Sequence, residues 1–355
     1  MPRCQSCGSF VLQNTKLCPF CYEPLVAPPQ RSRNPRSHPV SKGLTGRNQF
    51  HIPVRVKEER AYCNFCLRLI PDFNDGSGEQ VCSDCQREIE EFDRSRKLSF
   101  QLLESEAEKI RYFATMIGHS LPHLSPEDLL YQRGYHTNEE GRVVQISLSH
   151  CHLSALPEEV LDFGAIMTLD LEYNDISHFP NNLDSLERLD WLYIPQNNLI
   201  EVPEHVGTLV NMKRLWLYNN SIVEVDPGLG ELRDLRKLDL RNNMIAQLPD
   251  TIGQCQELWD LQLTNNRFTA IPEAVFQLTN LRKLALNYNP LTEVPDSIVE
   301  LENLTQLSLF LSKVRKISPK ILELENLRIL DLQGCPLAHN QVVDKLRSKG
   351  VIVHR

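Results

Sequence analysis

One spacing of apolar residues organises the last two thirds of this 355-residue chain. Aliphatic side chains recur in the frame L-x-x-L-x-L-x-x-N-x-L-x-x-L-P. The frame begins nine times, and each start lies 23 residues after the previous one, at Val143, Ile166, Leu189, Met212, Leu235, Leu258, Leu281, Leu304 and Leu327. Nine copies in one register are not a product of chance, so the pattern predicts a repeat architecture.

The frame also predicts the structure of each repeat. The L-x-L alternation favours a short strand with one face inward, and the strand of the next copy should pair beside it in parallel. An amide at the ninth position can bond the turn backbone, and it is present as Asn174, Asn197, Asn220, Asn243, Asn266 and Asn289. Cys151, Ser312 and Cys335 replace it near the ends. No repeat can bury its leucines alone, so stacking must supply the core.

The 23-residue period with its L-P ending resembles the intracellular Ras-group class of leucine-rich repeats over residues 143–338. The closing proline is replaced in two copies, by Asp226 and Ser318. The resemblance implies an α/β solenoid: a horseshoe whose parallel strands form a concave sheet. It further implies that the concave face binds a protein partner, although members of this class bind many different proteins.

A solenoid needs capped ends. Before the repeats, the spacing of Leu103, Ala107, Ile110, Ala114 and Ile117 predicts a helix over 88–117 with one buried stripe. Together with residues 121–142, it forms a predicted N-terminal cap over 88–142. After the repeats, the sequence predicts a C-terminal cap over 339–355, with a helix over 340–349 and an edge strand at 351–353.

Eight of the eleven cysteines form two groups of paired C-x-x-C knuckles. Four thiolates at such spacing surround one tetrahedral Zn²⁺, so two structural Zn²⁺ ions are expected. The ligands are Cys4, Cys7, Cys18 and Cys21 in a module over 1–26, and Cys63, Cys66, Cys82 and Cys85 in a module over 61–87. The first group resembles a short zinc ribbon and the second a treble-clef finger.

Other roles for these cysteines fit less well. Disulfides need an oxidising compartment, but no apolar leader follows Met1, which favours a reducing, cytoplasmic setting. No apolar run approaches the roughly 18 residues of a membrane span. A catalytic zinc keeps an open position, whereas each group here supplies four cysteines. A RING-type ubiquitin ligase needs interleaved ligands with a histidine, and these two groups are separate in sequence.

Charge is distributed unevenly along the chain. Residues 1–60 carry a net charge of +7 and the remainder −15, within a total of −8. The segment 27–60 is rich in proline and arginine and poor in apolar residues, which predicts a disordered linker. Residues 1–60 could contact nucleic-acid phosphates. A soluble tether is favoured, because aromatic residues barely interleave with the arginines.

The strand residues on the concave face form the candidate binding site. Positions three, five, seven and eight of repeats two to five carry charged and aromatic residues, among them Asp170, Glu172, Tyr173, Trp191, Tyr193, Arg214, Trp216, Tyr218, Lys237, Asp239 and Arg241. Exposed Trp and Tyr beside Arg are typical of interface hot spots. The alternative is an aromatic ladder that stabilises neighbouring strands. Tyr288, Phe310 and Leu311 form a second, weaker patch.

No phosphate-binding loop, nucleophile elbow or zinc-protease motif occurs, so we expect no enzyme activity. The favoured function is an intracellular scaffold or adaptor, monomeric, that holds a protein on repeats two to five while the zinc arm engages a second component. One alternative is a nucleic-acid-associated protein that uses the zinc modules and the basic linker. Another is a targeting subunit of a ubiquitin-ligase-type complex.

Overall fold

The computed structural model describes residues 105–355, except 131 and 203. The eight predicted zinc ligands, the linker 27–60 and the part of the predicted helix before Ser105 lie outside the described residues. The predictions made for those segments therefore stay predictions.

Most of the described strands belong to one eleven-stranded sheet, in which β1 is antiparallel to β2 and the other pairs are parallel. The order is β1-β2-β3-β4-β5-β6-β7-β8-β10-β12-β13, and β9 pairs with β11 apart from it. The strands are β1 Gly134–Thr137, β2 Val143–Ser147, β3 Thr168–Asp170, β4 Trp191–Tyr193, β5 Arg214–Trp216, β6 Lys237–Asp239, β7 Asp260–Gln262, β8 Lys283–Ala285, β9 Glu293–Val294, β10 Gln306–Ser308, β11 Lys316–Ile317, β12 Ile329–Asp331 and β13 Ile352–His354.

The nine frames become nine stacked coils around a single core. The central residue of each repeat strand, such as Leu192, Leu215 or Leu238, is fully buried. The return segments form short 3₁₀ helices at Glu158–Asp162, Leu183–Ser185, Glu204–Thr208, Pro227–Glu231, Asp250–Gln254, Glu273–Gln277, Asp296–Glu300 and Pro319–Glu323, and one more precedes the repeats at Asp128–Leu130. The predicted parallel stacking of the repeats is confirmed.

Asparagines at the ninth position join one coil to the next, which confirms and extends their predicted role. The Asn243 amide donates to the carbonyls of Leu240 in its own coil and Leu217 in the preceding coil, both at 3.0 Å. Its side-chain oxygen accepts from the Ile222 amide, also at 3.0 Å. Near the C-terminal end, the Cys335 thiol donates to the Leu309 carbonyl at 3.1 Å and so replaces the amide.

The prediction of one helix over 88–117 is wrong, because the backbone is extended at Ser105 and the helix cannot continue through it. The helix α1 runs from Glu106 to Met116, because Ser105 and Glu108 form a capping box that fixes its start. Its buried residues are Ile110 and Phe113, whereas Ala107, predicted on the buried stripe, is exposed.

The segment between α1 and the repeats adds the antiparallel strand β1 to the first edge of the sheet. At the other edge, the helix α2 spans Gln341–Ser348 inside the predicted range 340–349. The strand after it is β13, which lies one residue beyond the predicted 351–353 and pairs with β12. Both end strands of the sheet therefore come from outside the repeat frame.

Candidate protein-binding surface

The open sheet face is the side of the parallel sheet opposite the leucine core, and it is the predicted concave face. Successive strand residues point to opposite sides, so burial of Leu192 and Leu215 places their strand neighbours on this face. The register aligns Trp191 with Arg214, and Tyr193 with Trp216. All four of these residues are half-buried.

Four aromatic residues from two adjacent coils form a contiguous group, here called the aromatic cluster: Trp191, Tyr193, Trp216 and Tyr218. The Trp216 ring lies edge-on to Trp191 at 6.1 Å and to Tyr193 at 5.4 Å between ring centroids. Tyr193 and Tyr218 meet at 6.0 Å, and their hydroxyl oxygens are 2.6 Å apart. These edge-to-face contacts have the geometry that aromatic pairs prefer.

Two arginines flank the aromatic cluster. The Arg214 guanidinium lies 3.9 Å from the centroid of the Trp191 ring, and that of Arg241 lies 5.1 Å from the Tyr218 ring. Arg241 also donates from Nε to Asp239 Oδ1 at 2.8 Å. Asp239 is only 4% exposed, so it positions Arg241 rather than presenting an open carboxylate.

Two carboxyl groups, of Asp170 and Glu172, lie on the other side of the aromatic cluster, and neither forms an ion pair with another described residue. Asp170 accepts from Ser147 Oγ at 2.7 Å. Burial raises the pKa of Asp170 to about 6, opposed by hydrogen bonds from the Glu172 amide and Ser147. Burial, and then the charge of Asp170, raise the pKa of Glu172 to about 7, against a hydrogen bond with Tyr218. This part of the surface therefore changes its charge near neutral pH.

The remaining predicted residues lie at the edges of this surface. Tyr173 stacks on His150 of the preceding coil, with the ring centroids 4.4 Å apart. Lys237 turns away from the aromatic cluster: its Nζ lies 4.5 Å from the Trp259 ring centroid and 3.9 Å from Asp260. A pocket of about 300 Å³ lies beside Lys237 and is lined by Trp216, Lys237, Leu238, Asp239, Arg241, Asp260 and Gln262.

Sequence reasoning missed Trp259, which stands at the second position of its repeat. The repeat pattern predicts only positions three, five, seven and eight on the concave face. A comparison of the second position across the repeats would have found it, because the repeats before and after it have Arg236 and Arg282 at that position.

The second predicted patch is present and more exposed. Tyr288 and Leu311 expose 49% and 46% of their surface. Tyr288 meets the Phe310 ring edge-on, with the centroids 5.2 Å apart. About half of each side chain therefore stays open to solvent, but among the described residues no cation lies over the Tyr288 or Phe310 ring as Arg214 lies over Trp191.

Within residues 105–355, apart from 131 and 203, no helix is long and apolar enough to cross a membrane. The same residues contain no group of three His, Cys, Asp or Glu side chains placed to hold a metal ion.

Comparison with known families and structures agrees with the geometry of the coils. Residues 226–349 match the family described as "Leucine-rich repeat region", and residues 142–199 match "Leucine rich repeat". The protein is therefore a leucine-rich repeat protein. Among curated proteins, no match was found.

Solved structures with the same fold are only distantly similar in sequence. A leucine-rich repeat protein of Leptospira interrogans is 24% identical, with a TM-score of 0.55 over 67% of this chain and 70% of its own. The PEPR1–AtPEP1 crystal structure is 22% identical, with a TM-score of 0.52 over 62% of this chain and 36% of that chain. At these identities the likeness shows the fold alone.

Proposed function

We propose that this protein is a non-catalytic scaffold or adaptor that binds a protein partner on the open sheet face of coils two to five. The observation that supports this most is the aromatic cluster with Arg214 and Arg241 beside it. A few residues carry most of the binding energy of a protein interface, and Trp, Tyr and Arg are enriched among them. A leucine-rich repeat domain suggests protein interaction, and the PEPR1–AtPEP1 structure contains a complex on the same fold.

The contacts of the alternative, an aromatic ladder, are also present, since Trp216 contacts both Trp191 and Tyr193. Rings that only stabilise neighbouring strands do not need to stay half-exposed, and they do not need the Arg214 guanidinium stacked on Trp191. Both features favour recognition, because they leave apolar and cationic surface for a partner to cover. The contacts between the rings then hold the site in place before binding.

The proposal includes the N-terminal arm. We propose that the two four-cysteine groups each hold one structural Zn²⁺, since four thiolates satisfy tetrahedral coordination and leave no open position. The thiolates would persist in a reducing compartment, which fits an intracellular scaffold of the Ras-group class. The arm then offers a second contact, to protein or to nucleic acid.

Affinity capture with the full-length chain tests the open sheet face. The Trp191→Ala and Trp216→Ala variants should each lose the proteins that wild-type chain recovers, measured by quantitative mass spectrometry. Each removes an aromatic anchor, and losses at hot spots are typically 2 kcal/mol or more, about a thirtyfold change in affinity. Matched controls are Ile200→Ala and Val210→Ala, because both side chains are exposed and apolar outside this face.

Unfolding curves distinguish binding from strand stabilisation. If the two tryptophan variants recover the same partners as wild type but unfold more easily, the rings serve only as a ladder. Equal loss of partners in the Ile200→Ala control would also contradict a site at the aromatic cluster.

A further inference from the structure

A row of cations lies along the edge of the sheet at which the repeat strands begin. At positions two and three of the frame, three coils carry two consecutive cations, and the coil between the second and third carries Trp259 and Asp260. We call this row the basic edge; its members are Lys213, Arg214, Arg236, Lys237, Arg282 and Lys283. The row is positively charged, although the net charge of the whole chain is −8.

Backbone hydrogen bonds show that the second positions are in register. The Arg236 amide donates to the Lys213 carbonyl at 2.8 Å, and the Trp259 amide donates to the Arg236 carbonyl at 3.1 Å. The Arg282 amide donates to the Trp259 carbonyl at 2.9 Å. Neighbouring strands are about 4.8 Å apart, so Arg236 and Arg282 are separated by about 9.6 Å, with Trp259 between them.

Part of the basic edge is already neutralised and part is available. Lys213 pairs with Asp190 at 3.1 Å, and Lys237 approaches Asp260 at 3.9 Å. Arg236, Arg282 and Lys283 are exposed, and none of them forms an ion pair within the described part of the chain. Trp259 is half-buried and stands between the two arginines; the Lys237 Nζ, 4.5 Å from the ring centroid, covers part of the ring and leaves the rest for a partner.

We propose that the basic edge binds an extended acidic segment of a partner protein, with Arg236 and Arg282 holding two carboxylates and Trp259 an apolar side chain between them. Guanidinium groups bind carboxylates through paired hydrogen bonds. In the polyproline II conformation, which has three residues per turn and rises about 3.1 Å per residue, residues three apart lie on the same side and about 9.3 Å from each other. This spacing matches two coil steps, so the segment has acidic residues at every third position.

Charge along the edge favours an acidic peptide over a nucleic acid. Asp190 and Asp260 stand in the same row, and a phosphate chain that follows the row would pass both. A peptide can place uncharged residues opposite these carboxylates. Of the basic edge, Arg214 also flanks the aromatic cluster. Arg236, Arg282 and the intervening Trp259 lie outside that cluster, so they add a second contact rather than redefine the first.

Fluorescence anisotropy with the full-length chain tests the basic edge. The probe is a short labelled peptide of repeating Glu-Leu-Ser, and the variant is Arg236→Glu/Arg282→Glu. We expect the variant to bind the peptide at least about tenfold more weakly, since two attractive charge pairs become repulsive. Trp259→Ala should also weaken binding, although it leaves the charge unchanged.

The control is Lys313→Glu/Lys316→Glu, which makes the same change of charge at two exposed positions outside the basic edge, the second of them in β11. The basic residues of 1–60 are present in every variant, so peptide bound there is not affected by either substitution. Equal affinity in wild type and the Arg236→Glu/Arg282→Glu variant, or equal weakening in both double variants, would overturn the proposal. A third outcome would also overturn it: an oligouridylate of the same charge binds more tightly than the peptide, and the Arg236→Glu/Arg282→Glu variant abolishes that binding. This result would assign the basic edge to RNA. Partner loss in the Trp191→Ala variant is independent of all these outcomes.

Discussion

At the scale of single residues, buried polar groups connect the coils and shape the binding surface. The residue at the eighth position of the frame has a left-handed backbone in all nine coils. In the first eight coils, from His150 to Leu311, this residue is not glycine, and in the ninth it is Gly334. Asn242 and Asn265 suit this conformation, whereas Tyr288 and Leu311 are strained in it. The Asn289 amide, directly after Tyr288, donates to the Leu286 carbonyl at 3.1 Å and fixes that turn, whereas Ser312 follows Leu311.

Stability should depend on pH through Asp170 and Glu172. Their pKa values rise from 3.8 to about 6 and from 4.5 to about 7, so the folded chain binds more protons than the unfolded chain in this window. The contribution of these two groups to the free energy of unfolding should therefore be greatest below about pH 4 and be lost as pH rises through about 7. Urea unfolding followed by tryptophan fluorescence measures it, since all three tryptophans lie in the repeats.

The double variant Asp170→Asn/Glu172→Gln removes both titrations and should show a flatter dependence than wild type over this range. Glu187→Gln, an exposed position, serves as the control and should keep the wild-type slope. A double variant with the wild-type slope would show that these two carboxyl groups are not the source.

At the scale of elements, the return segments depend on how their 3₁₀ helices begin and how closely they stack. Proline closes most repeats, and Pro249 or Pro272 directly precedes a helix. Where Asp226 and Ser318 replace it, the side chain caps the helix instead, accepting from Gly228 at 2.7 Å and from Lys320 at 3.1 Å. The apparent departures from the repeat are therefore alternative caps.

Glycine at the nineteenth position lets neighbouring 3₁₀ helices approach closely. A Cβ atom on Gly230 would press against the carbonyl oxygen of Thr251, which belongs to the backbone of the next coil and cannot move aside. Gly230→Ala should therefore lower the free energy of unfolding by about 1–3 kcal/mol. Gly164→Ala is the matched control, because its Cβ would meet no atom within 4 Å. Equal denaturation midpoints for the two variants would refute this account.

At the scale of the whole molecule, the repeats bury their own core, while the zinc modules are proposed to fold around metal. The core of the described residues runs continuously from Ile110 to Val351. Each module has too few apolar residues for a core, and structural zinc supplies on the order of 10–16 kcal/mol to domains of this kind. Bound zinc should therefore stabilise the N-terminal modules without affecting the stability of the repeats.

Chain purified under reducing conditions should contain two zinc ions per molecule, measured by mass spectrometry of the metal. Cys7→Ser and Cys66→Ser should each reduce this number by one. Chelation should leave the unfolding of the repeats unchanged, because their core contains none of these cysteines. A chain without bound zinc would overturn the zinc proposal and leave the open sheet face unaffected.

The sequence by itself determined the nine coils, their strands and the leucine core, since each depends on residues a few positions apart and the 23-residue period repeats the same information. The start of α1 at Glu106 was also local information, contained in the Ser105–Glu108 capping box, which the periodicity of apolar residues does not include. The tertiary structure alone decided the antiparallel β1 and the burial of Asp239 under Arg241. It also decided that Lys237 lies over Trp259 instead of joining the aromatic cluster. These features depend on contacts at the chain ends, where no repeat provides a neighbour, or on side-chain directions between coils, which a periodic pattern does not specify.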